Sequence, residues 1–456
     1  MTTDHKEKGQ IREIALEVLM EVLERGGYSH KVLGAALLKY QYMDKQQRGF
    51  LTRLCEGTIE RALELDYIID HFSKVPVKKQ KPVIRNILRM SVYQLKYMDS
   101  VPDSAACNEA VKLATKKGFY NLKGFVNGVL RNISRGINEL SYPDKSKEPG
   151  KYLSVVYSMP LWLVEFWLGI YSDQVVEDML KAFCSIKETT IRVNLNKIEP
   201  SKLKVLLENQ NIKVTEGTYF PYALKISGYN YLSSLEEFKE GYFQVQDESS
   251  MLVGEVAGAM PGNLLVDVCA APGGKSLHVA QLLKGTGKVL SRDLTLEKTA
   301  LIEDNNSRLG FSNIKVEQYD ALTFDSNLEN QADVVIADLP CSGLGVITKK
   351  PDIKYRVTKE DLTSLSELQK EILKVVSRYV KPGGTLIYST CTINPLENEE
   401  NVKWLESTKE FRLESLDSYL PQSLLSDTTK KGYIQLLPGM HQADGFFVAR
   451  FKKENK

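Results

Sequence analysis

The sequence predicts an α/β protein in which an all-α segment comes first and a parallel sheet comes last. Two observations carry this prediction. Apolar residues recur at helical spacing through the first third of the 456 residues, whereas short β-branched runs alternate with helical stretches through the last third. Because domains usually run ~100–200 residues, we expect two or three domains.

Amphipathic helices account for the first third. Apolar residues from Ile11 to Leu23 recur at helical spacing, and the run stops at Gly26 and Gly27, a helix-ending signal. Similar runs follow at residues 50–72, 82–98, 104–117 and 124–134. We therefore predict an all-α domain at residues 1–140.

Positive charge is concentrated in this helical segment. Residues 71–135 contain 13 lysines and arginines against three acidic residues. Such a surface binds phosphates if the charges converge on one face, and Lys112, Lys116 and Lys117 are our candidates for that contact. The alternative is that these charges are the solvated faces of ordinary helices.

A polar segment separates the helical third from the rest. SYPDKSKEPGK, residues 141–151, contains two prolines and a glycine and predicts a linker. Beyond it, the helix-like MPLWLVEFWLGIY and the strand-like TTIRVNLN and GYFQVQD predict a small α/β segment at residues 152–245.

Strands and helices alternate through residues 246–456. The predicted strands are NLLVDVCA, GKVLSRD, NIKVEQYD, ADVVIADLP and GGTLIYSTC. This rhythm predicts a parallel sheet, whose ligands gather at the carboxyl ends of the strands. The chemically active residues at these ends are Asp267, Asp293, Asp320, Asp338, Cys341 and Cys391.

The turn DVCAAPGGKS follows the first of these strands and opens a helix. Its small residues allow close approach of a ligand to the backbone. A phosphate-binding P-loop and the motif G-x-G-x-x-G are both absent. Asp293 stands 19 residues after Gly274, near the ~20 expected of a carboxylate that binds ribose hydroxyls. The turn therefore favours an adenosyl ligand over a tight turn that binds nothing.

Two thiols lie at the ends of neighbouring predicted strands. Pro340 turns the chain out of its strand between Asp338 and Cys341. Cys391 stands in IYSTCTINP, where an apolar run meets a polar turn. A lone cysteine is more often a buried small hydrophobe, but a second thiol at a strand end argues against that reading. The basic loop that follows Cys341 holds candidate phosphate ligands, namely Lys349, Lys350 and Lys354.

Composition excludes several classes of protein. A chain that is 43% hydrophobic and 26% charged is globular rather than disordered. The sequence has no apolar leader and no membrane-spanning run, so we expect a cytoplasmic protein with no membrane partner. Its six cysteines contain no C-x-x-C pair, so neither a zinc site nor a disulfide framework is predicted, and we expect no metal.

Three motifs give the chain a family resemblance. DVCAAPGGKS, DLPCSGLGVITKKPDIKY and STCTINPLENEENV resemble successive motifs of the RNA cytosine-5 methyltransferases of the Sun/NSUN type. The likeness extends across nearly the whole chain, and the leading helical bundle is similar to the antitermination factor NusB. This order of domains resembles the bacterial members that act on 16S ribosomal RNA. One departure is Arg292, where the family usually has an apolar residue.

The resemblance implies a fold, a substrate and a cofactor. The fold is a Rossmann-like, S-adenosylmethionine-dependent methyltransferase sheet preceded by a NusB-like all-α bundle and the small α/β segment. The substrate is 16S ribosomal RNA, which the family methylates on carbon 5 of a cytosine, by resemblance cytosine 967. We expect a monomer.

The resemblance also assigns residues. Cys391 is the nucleophile that adds to carbon 6 of cytosine, and Cys341 releases the methylated product. Asp338 binds the cytosine edge at N3, with assistance from Lys275. Asp293 holds the ribose of S-adenosylmethionine, Asp320 contacts its adenine, and the turn surrounds its methionine portion. The implied cofactor-binding residues are Cys269, Ala270, Ala271, Pro272, Gly273, Gly274, Lys275, Asp293, Asp320 and Asp338.

Three other functions compete with this one. A dehydrogenase on the same type of sheet would need the missing G-x-G-x-x-G. An RNA-binding factor with a decayed methyltransferase domain would have damaged motifs, and these are intact. Transfer RNA or 23S RNA as the target stays open, because the catalytic motifs are common to the family.

Overall fold

The computed structural model describes residues 2–185 and 188–455. The chain forms two compact units. The helical unit comprises Met1–Ser185 and, from much later in the chain, Ile347–Arg356. The sheet unit comprises Ile186–Val346 and Val357–Lys456. Each unit is therefore assembled from two stretches of chain.

Helices and strands are numbered here in chain order. The helices are α1 (Thr2–Arg25), α2 (Ser29–Lys39), α3 (Lys45–Glu60), α4 (Ala62–Phe72), α5 (Pro82–Tyr97), α6 (Asp103–Lys116), α7 (Lys123–Gly136), α8 (Pro149–Val156), α9 (Leu161–Leu168), α10 (Asp173–Phe183), α11 (Pro200–Glu208), α12 (Glu236–Lys239), α13 (Glu248–Ala257), α14 (Gly274–Leu282), α15 (Leu296–Leu309), α16 (Ile353–Arg356), α17 (Lys359–Val376), α18 (Glu399–Ser407) and α19 (Asp427–Lys431). The strands are β1 (Thr189–Val193), β2 (Lys213–Glu216), β3 (Ala223–Ser227), β4 (Phe243–Val245), β5 (Leu264–Asp267), β6 (Lys288–Asp293), β7 (Ile314–Gln318), β8 (Ala332–Asp338), β9 (Val380–Thr390), β10 (Phe411–Leu413), β11 (Tyr433–Leu436) and β12 (Phe446–Lys453).

The helices predicted in the first third are confirmed. Periodic runs fall within α1, α5, α6 and α7, and Pro82 occupies the first turn of α5. The run at 50–72 is divided between α3 and α4, because the chain leaves helical geometry at Arg61. A capping box between Asp44 and Gln47 starts α3. The backbone nitrogen of Gln47 donates to Asp44 Oδ1 at 2.8 Å. Helix α2 was not predicted.

The predicted linker and small α/β segment are distributed over both units. Residues 141–148 are irregular, and α8 begins at Pro149. Helices α8 to α10 belong to the helical unit, whereas β1 to β4 belong to the sheet unit. These four strands form an antiparallel sheet in the order β2-β3-β1-β4. The boundaries proposed from sequence, 1–140, 141–151, 152–245 and 246–456, stay a prediction.

The large sheet confirms the predicted fold class. Its strand order is β10-β12-β9-β8-β5-β6-β7, with β11 paired to β12. Strands β5 to β9 are parallel, and β12 runs antiparallel to β9. From β5 the chain first proceeds outward to β6 and β7, and then returns to the other side of β5 with β8 and β9. Such a reversal opens a crevice at the carboxyl ends of the central strands.

Alternation along the strands buries both faces of this sheet. One face packs into a core that includes Leu265, Val289, Ile336 and Ile387. The other packs into a second core that includes Val266, Val335, Ala337 and Leu386. Near-continuous apolar strands are typical of a parallel sheet covered by helices on both sides.

Arg292, the departure from the family pattern, is accommodated by ion pairs. Its Nη2 lies 2.8 Å from Glu317 Oε2 and 2.6 Å from Asp325 Oδ2. Its guanidinium also lies over the ring of Tyr319, 4.1 Å from the ring centre. The arginine therefore ties β6 to β7 and to the loop beyond it.

Candidate active site

The glycine-rich turn lies between β5 and α14, as predicted from the sequence. Asp267, the last residue of β5, is fully buried and accepts a hydrogen bond from Ser276 Oγ at 2.7 Å. Its other carboxylate oxygen, Oδ1, has no hydrogen-bond partner among the described residues. Burial raises the pKa of Asp267 to about 7. A buried acceptor without a donor is costly unless a ligand supplies one.

The turn is fastened to the end of β6. Ala271 N donates to Asp293 Oδ2 at 2.9 Å, and Ala270 N donates to the Arg292 carbonyl at 2.9 Å. The peptide bond between Ala271 and Pro272 is cis. Gly273 has a φ of +100°, in the left-handed region, and a Cβ there would lie 3.1 Å from the Leu277 side chain. These contacts fix the backbone of the turn at the start of α14.

The carboxylate of Asp293, the predicted ribose ligand, already accepts hydrogen bonds from within the protein. Its side chain is 3% exposed and also accepts from Leu294 N at 2.7 Å and Lys298 Nζ at 2.9 Å. Asp320 is exposed, and its carboxylate accepts from Leu322 N at 2.9 Å. Among the described residues, no hydrogen bond or ion pair joins the Asp320 side chain to the turn or to Asp293.

Lys275 and Asp338 form an ion pair at the carboxyl ends of β5 and β8. Lys275 Nζ lies 2.6 Å from Asp338 Oδ2, and Ser389 Oγ donates to Asp338 Oδ1 at 2.8 Å. Burial lowers the pKa of Lys275, but the charge of Asp338 and their hydrogen bond outweigh it, so the pKa is raised. Lys275 is therefore an ammonium at neutral pH, held beside a carboxylate.

The two candidate thiols are in contact. Cys341 Sγ lies 3.2 Å from Cys391 Sγ, and both side chains are half-buried. The hydrogen bond with Cys391, together with burial, raises the pKa of Cys341 well above its ordinary value. Either sulfur can act as the donor in this contact. The site thus places two thiols within hydrogen-bonding distance of each other.

Glycines hold the two cysteine-bearing loops together. Gly345 N donates to the Cys391 carbonyl at 3.0 Å, and Gly445 N donates to the Gly345 carbonyl at 2.9 Å. A Cβ on Gly345 would lie 1.9 Å from the Gly445 carbonyl oxygen, so a larger residue does not fit. This contact brings three separate segments of the chain to the thiols.

Sequence reasoning missed Ser342 and Glu397, which lie directly behind the thiols. Glu397 is fully buried and accepts from Ser342 N at 2.9 Å. The signal is present in STCTINPLENEENV, but a single sequence does not separate Glu397 from its neighbours Glu399 and Glu400, which are exposed. Only the fold distinguishes them.

The predicted phosphate contacts of the helical unit are ion-paired within the protein. Lys112 pairs with Glu109 at 2.7 Å, and Lys116 and Lys117 pair with Glu13 at 2.6 and 3.0 Å. Lys112 and Lys116 nevertheless keep 70% and 65% of their side chains exposed, and exposed ion pairs of this kind are weak, so the contact of these lysines with phosphate stays a prediction.

Other lysines of the same unit are better placed to bind phosphate. The lysine loop, residues 73–81 between α4 and α5, exposes Lys74, Lys78, Lys79 and Lys81. None of these four forms an ion pair in the part of the chain that the structure describes. The loop is braced from within, since Val77 N donates to Asp70 Oδ1 at 2.6 Å and Val77 is buried.

Lys354 was wrongly predicted to bind phosphate. It is 2% exposed, and its Nζ donates to the Glu60 carbonyl at 2.7 Å inside the helical unit. Burial lowers its pKa to about 8. Lys349 and Lys350 are exposed, and their role stays a prediction.

Neither a membrane span nor a metal cluster is found in the described chain. Within residues 2–185 and 188–455, no helix has the length and apolar character to cross a bilayer. Among the same residues, no three His, Cys, Asp or Glu side chains are grouped so that they could hold a metal ion.

Three family descriptions match successive parts of the chain. Residues 9–135 match the NusB family, and residues 159–231 match the ferredoxin-like domain of RsmF/B-like methyltransferases. Residues 258–452 match the 16S rRNA methyltransferase RsmB/F family.

Curated relatives and solved structures match the whole chain. The probable ribosomal RNA small subunit methyltransferase B of Bacillus subtilis is 36% identical over 98% of this chain and 99% of its own length. The ribosomal RNA small subunit methyltransferase B of Vibrio vulnificus is 30% identical over 97% of this chain and 99% of its own. The solved structure of PH0851 superposes with a TM-score of 0.82 at 28% identity, covering 98% of this chain and 99% of that one.

A further solved structure shares the fold of part of this chain. NSun6 from Pyrococcus horikoshii with SFG has a TM-score of 0.56 at 23% identity, and covers 64% of this chain and 97% of that one. At this identity the likeness shows the fold alone.

Proposed function

Because the chain belongs to the RsmB/F family of 16S ribosomal RNA methyltransferases, we propose that it methylates carbon 5 of a cytosine in 16S ribosomal RNA through a covalent intermediate. The observation that carries this proposal is the contact of Cys341 and Cys391 at 3.2 Å, beside the Lys275 and Asp338 ion pair. By resemblance the target is cytosine 967.

The residues of the glycine-rich turn fit S-adenosylmethionine. The turn from Cys269 to Lys275 follows Asp267, whose Oδ1 is a buried acceptor that lacks a donor among the described residues. The cofactor's methionine portion carries an ammonium group that suits such an oxygen. Asp293 would hold the ribose and Asp320 the adenine. When bound, S-adenosylmethionine supplies the methyl group.

Cys391 begins the reaction as the nucleophile. Carbon 5 of cytosine is a poor nucleophile until a thiolate adds to carbon 6 and converts the ring into an enamine. The Cys341 thiol stabilises a thiolate on Cys391 by donating to its sulfur. Asp338 faces the ring at N3 and relays a proton there from the Lys275 ammonium as the thiolate adds, and the same proton returns from N3 to Lys275 when the ring double bond re-forms.

Cys341 then releases the product. After methyl transfer, carbon 5 carries both a methyl group and a proton, and the bond between carbon 6 and Cys391 must break. Cys341 passes its thiol proton to the departing sulfur and takes the carbon 5 proton in exchange. The electron pair of the carbon–hydrogen bond re-forms the ring double bond. Both thiols end protonated, so the step balances without a further reactant.

RNA recognition is assigned to the lysine loop. Its four exposed lysines have no acidic partner in the part of the chain that the structure describes, so their charge is available to the phosphate backbone. The target base must leave its stack to reach the two thiols, as for other enzymes that react with a base. Phosphate contacts set the register, and the sheet unit performs the chemistry.

Two single substitutions test the assignment of the thiols. Cys391→Ala should abolish 5-methylcytosine in 16S RNA and should form no adduct with RNA containing 5-fluorocytosine, whose fluorine blocks release. Cys341→Ala should still add to ordinary RNA and accumulate a protein–RNA adduct that survives denaturing electrophoresis. Cys55→Ala, a buried thiol of the helical unit, is the control.

The same experiment can also contradict this assignment of the two cysteines. An adduct in Cys391→Ala that is absent from Cys341→Ala would make Cys341 the nucleophile. Full methylation by both variants would favour the alternative interpretation, in which Cys391 is a small hydrophobic residue without a catalytic role. Methylation of transfer RNA or 23S RNA, with none of 16S RNA, would change the substrate but not the chemistry.

A further inference from the structure

Glu397 is a buried carboxylate with four hydrogen-bond donors. It lies in the loop between β9 and α18 and is fully buried. Its Oε2 accepts from Ser342 N and Gln369 Nε2, both at 2.9 Å. Its Oε1 accepts from Asn394 Nδ2 at 2.9 Å and from Ser342 Oγ. Burying a carboxylate is unfavourable unless donors of this kind surround it.

The surrounding donors require a carboxylate rather than an amide. Glu397 forms no ion pair with a lysine, arginine or histidine in the described part of the chain. The four donors satisfy both of its oxygens, and an ionised carboxylate accepts at both. A glutamine of the same size would present an NH₂ group to N–H or O–H donors on one side. The site therefore specifies a negative charge, and not merely a polar side chain.

The donors belong to both cysteine-bearing loops. Ser342 follows Cys341 directly, and Asn394 stands in the loop that begins at Cys391. Ser342 Oγ also lies 2.7 Å from Thr392 Oγ1, which joins the two loops a second time.

Gln369 completes the support from α17. Its Nε2 donates to Glu397 and also to the Pro340 carbonyl at 2.8 Å. The residues on either side of Cys341 are thus held by the same carboxylate and its partner amide. Loss of the carboxylate would remove one support that the two loops have in common.

The charge of Glu397 also acts on Cys341. The titratable groups that face this thiol are Cys391 and Glu397 from the segment after β9, Tyr388 on β9 itself, and Asp338 at the end of β8. Lys275, on α14, pairs with Asp338 and offsets part of that charge. The pKa of Cys341 is raised by the hydrogen bond with Cys391, by burial, and by the negative charges of Glu397 and Asp338.

We propose that Glu397 is a positioning residue that holds the two thiols in contact and keeps the proton on Cys341. Its carboxylate accepts from the backbone and the hydroxyl of Ser342, next to Cys341, and it acts on the thiols through that residue. This inference deepens the proposed function, on which its catalytic consequence rests. The arrangement of the thiols themselves is open to test without RNA.

The test compares Glu397→Gln with the wild type by alkylation. Iodoacetamide reacts with thiolates, and peptide mass spectrometry gives the rate at Cys341 separately across a range of pH. Removing the negative charge should move the midpoint of Cys341 alkylation down by about one pH unit. Glu400→Gln, which removes an exposed glutamate that pairs with Lys403, is the matched control and should leave the midpoint unchanged.

A second variant measures the loss of positioning. Ser342→Ala keeps the N–H donor to Glu397 but removes the hydroxyl that joins Glu397 to Thr392. Its kcat for RNA methylation should fall on the order of tenfold with S-adenosylmethionine affinity unchanged, because misplaced reacting groups cost rate rather than cofactor binding.

The outcomes decide between the inference and a merely structural role. A folded Glu397→Gln that binds S-adenosylmethionine normally and keeps the wild-type alkylation midpoint would overturn the inference. If Glu397→Gln does not fold, a wild-type kcat in Ser342→Ala would overturn it equally. A wild type that makes no 5-methylcytosine would refute the proposed function, while a shifted midpoint in Glu397→Gln would still support the arrangement of the thiols.

Discussion

Asp267 has a carboxylate oxygen that nothing in the described chain satisfies. Since its pKa is raised to about 7, the group is mostly protonated below neutrality, and a cationic ligand must bind the ionised form. S-Adenosylmethionine affinity should therefore rise roughly fifteenfold from pH 5.5 to pH 7 and about twofold more before it levels off above about pH 8. Calorimetry on the wild type and on Asp267→Asn measures this, and the variant should show no such slope. Parallel slopes in the two proteins would remove Asp267 from the cofactor site.

Single residues were predictable where their chemistry is rare. Two thiols at strand ends, with Asp338 and a lysine in a glycine-rich turn, stand out in any sequence, and the structure brings these four side chains together. Glu397 was not predictable, because its distinction from Glu399 and Glu400 is burial rather than residue type. The prediction that Lys354 binds phosphate was wrong for the same reason, since a lysine in a basic loop is usually exposed.

The lysine loop makes a prediction at the scale of one connecting element. Replacing Lys78 and Lys79 by glutamate should weaken binding of 16S RNA and reduce the dependence of affinity on salt by roughly 1.4 in log–log slope, if both contact phosphates. Replacing Lys112 and Lys116 by glutamate is the matched control. Those lysines already pair with Glu109 and Glu13, so a smaller change in slope is expected. Equal changes in the two variants would show that the lysine loop has no special role.

Elements with strong periodicity were predicted, and those defined by distant partners were not. Helices α5 and α7 have clear apolar stripes, and β5, β6 and β8 are short strands that contain consecutive apolar residues and end at acidic residues. Strand β12 pairs antiparallel with β9, and no local sequence pattern predicts the partner or the direction of such a strand. Helix α2 lacks a side-chain cap at its start, so its sequence carries a weak signal.

At the scale of the whole molecule, Lys354 links protonation to stability. Its pKa falls to about 8 in the folded protein because of burial, so the folded state loses the proton before the unfolded state does. The free energy of unfolding should therefore rise between about pH 8 and pH 10.4, by up to about 3 kcal/mol from this group. Urea denaturation should show this rise in the wild type relative to Lys354→Met. A difference that stays constant with pH would contradict the assignment, and Lys350→Met, an exposed neighbour, is the control.

The division of the chain between the two units could not be foreseen. Lys354 and Glu60 are 294 positions apart, and no periodicity or spacing connects them. The sequence around α16 contains the short PDIKYR, whose local pattern is that of a loop.

Because Ile347–Arg356 belongs to the helical unit, this unit cannot be completed during synthesis on the ribosome until that late segment has been made. The first 185 residues emerge without the segment that supplies partners to the Glu60 carbonyl and to Ser29, whose hydroxyl donates to Asp352. At about 5–20 residues per second, that segment arrives roughly ten to thirty seconds later. During this interval the amino-terminal helices are exposed as an incomplete body, and they reach their final packing only after β5 to β8, four of the eight strands of the large sheet, have been made.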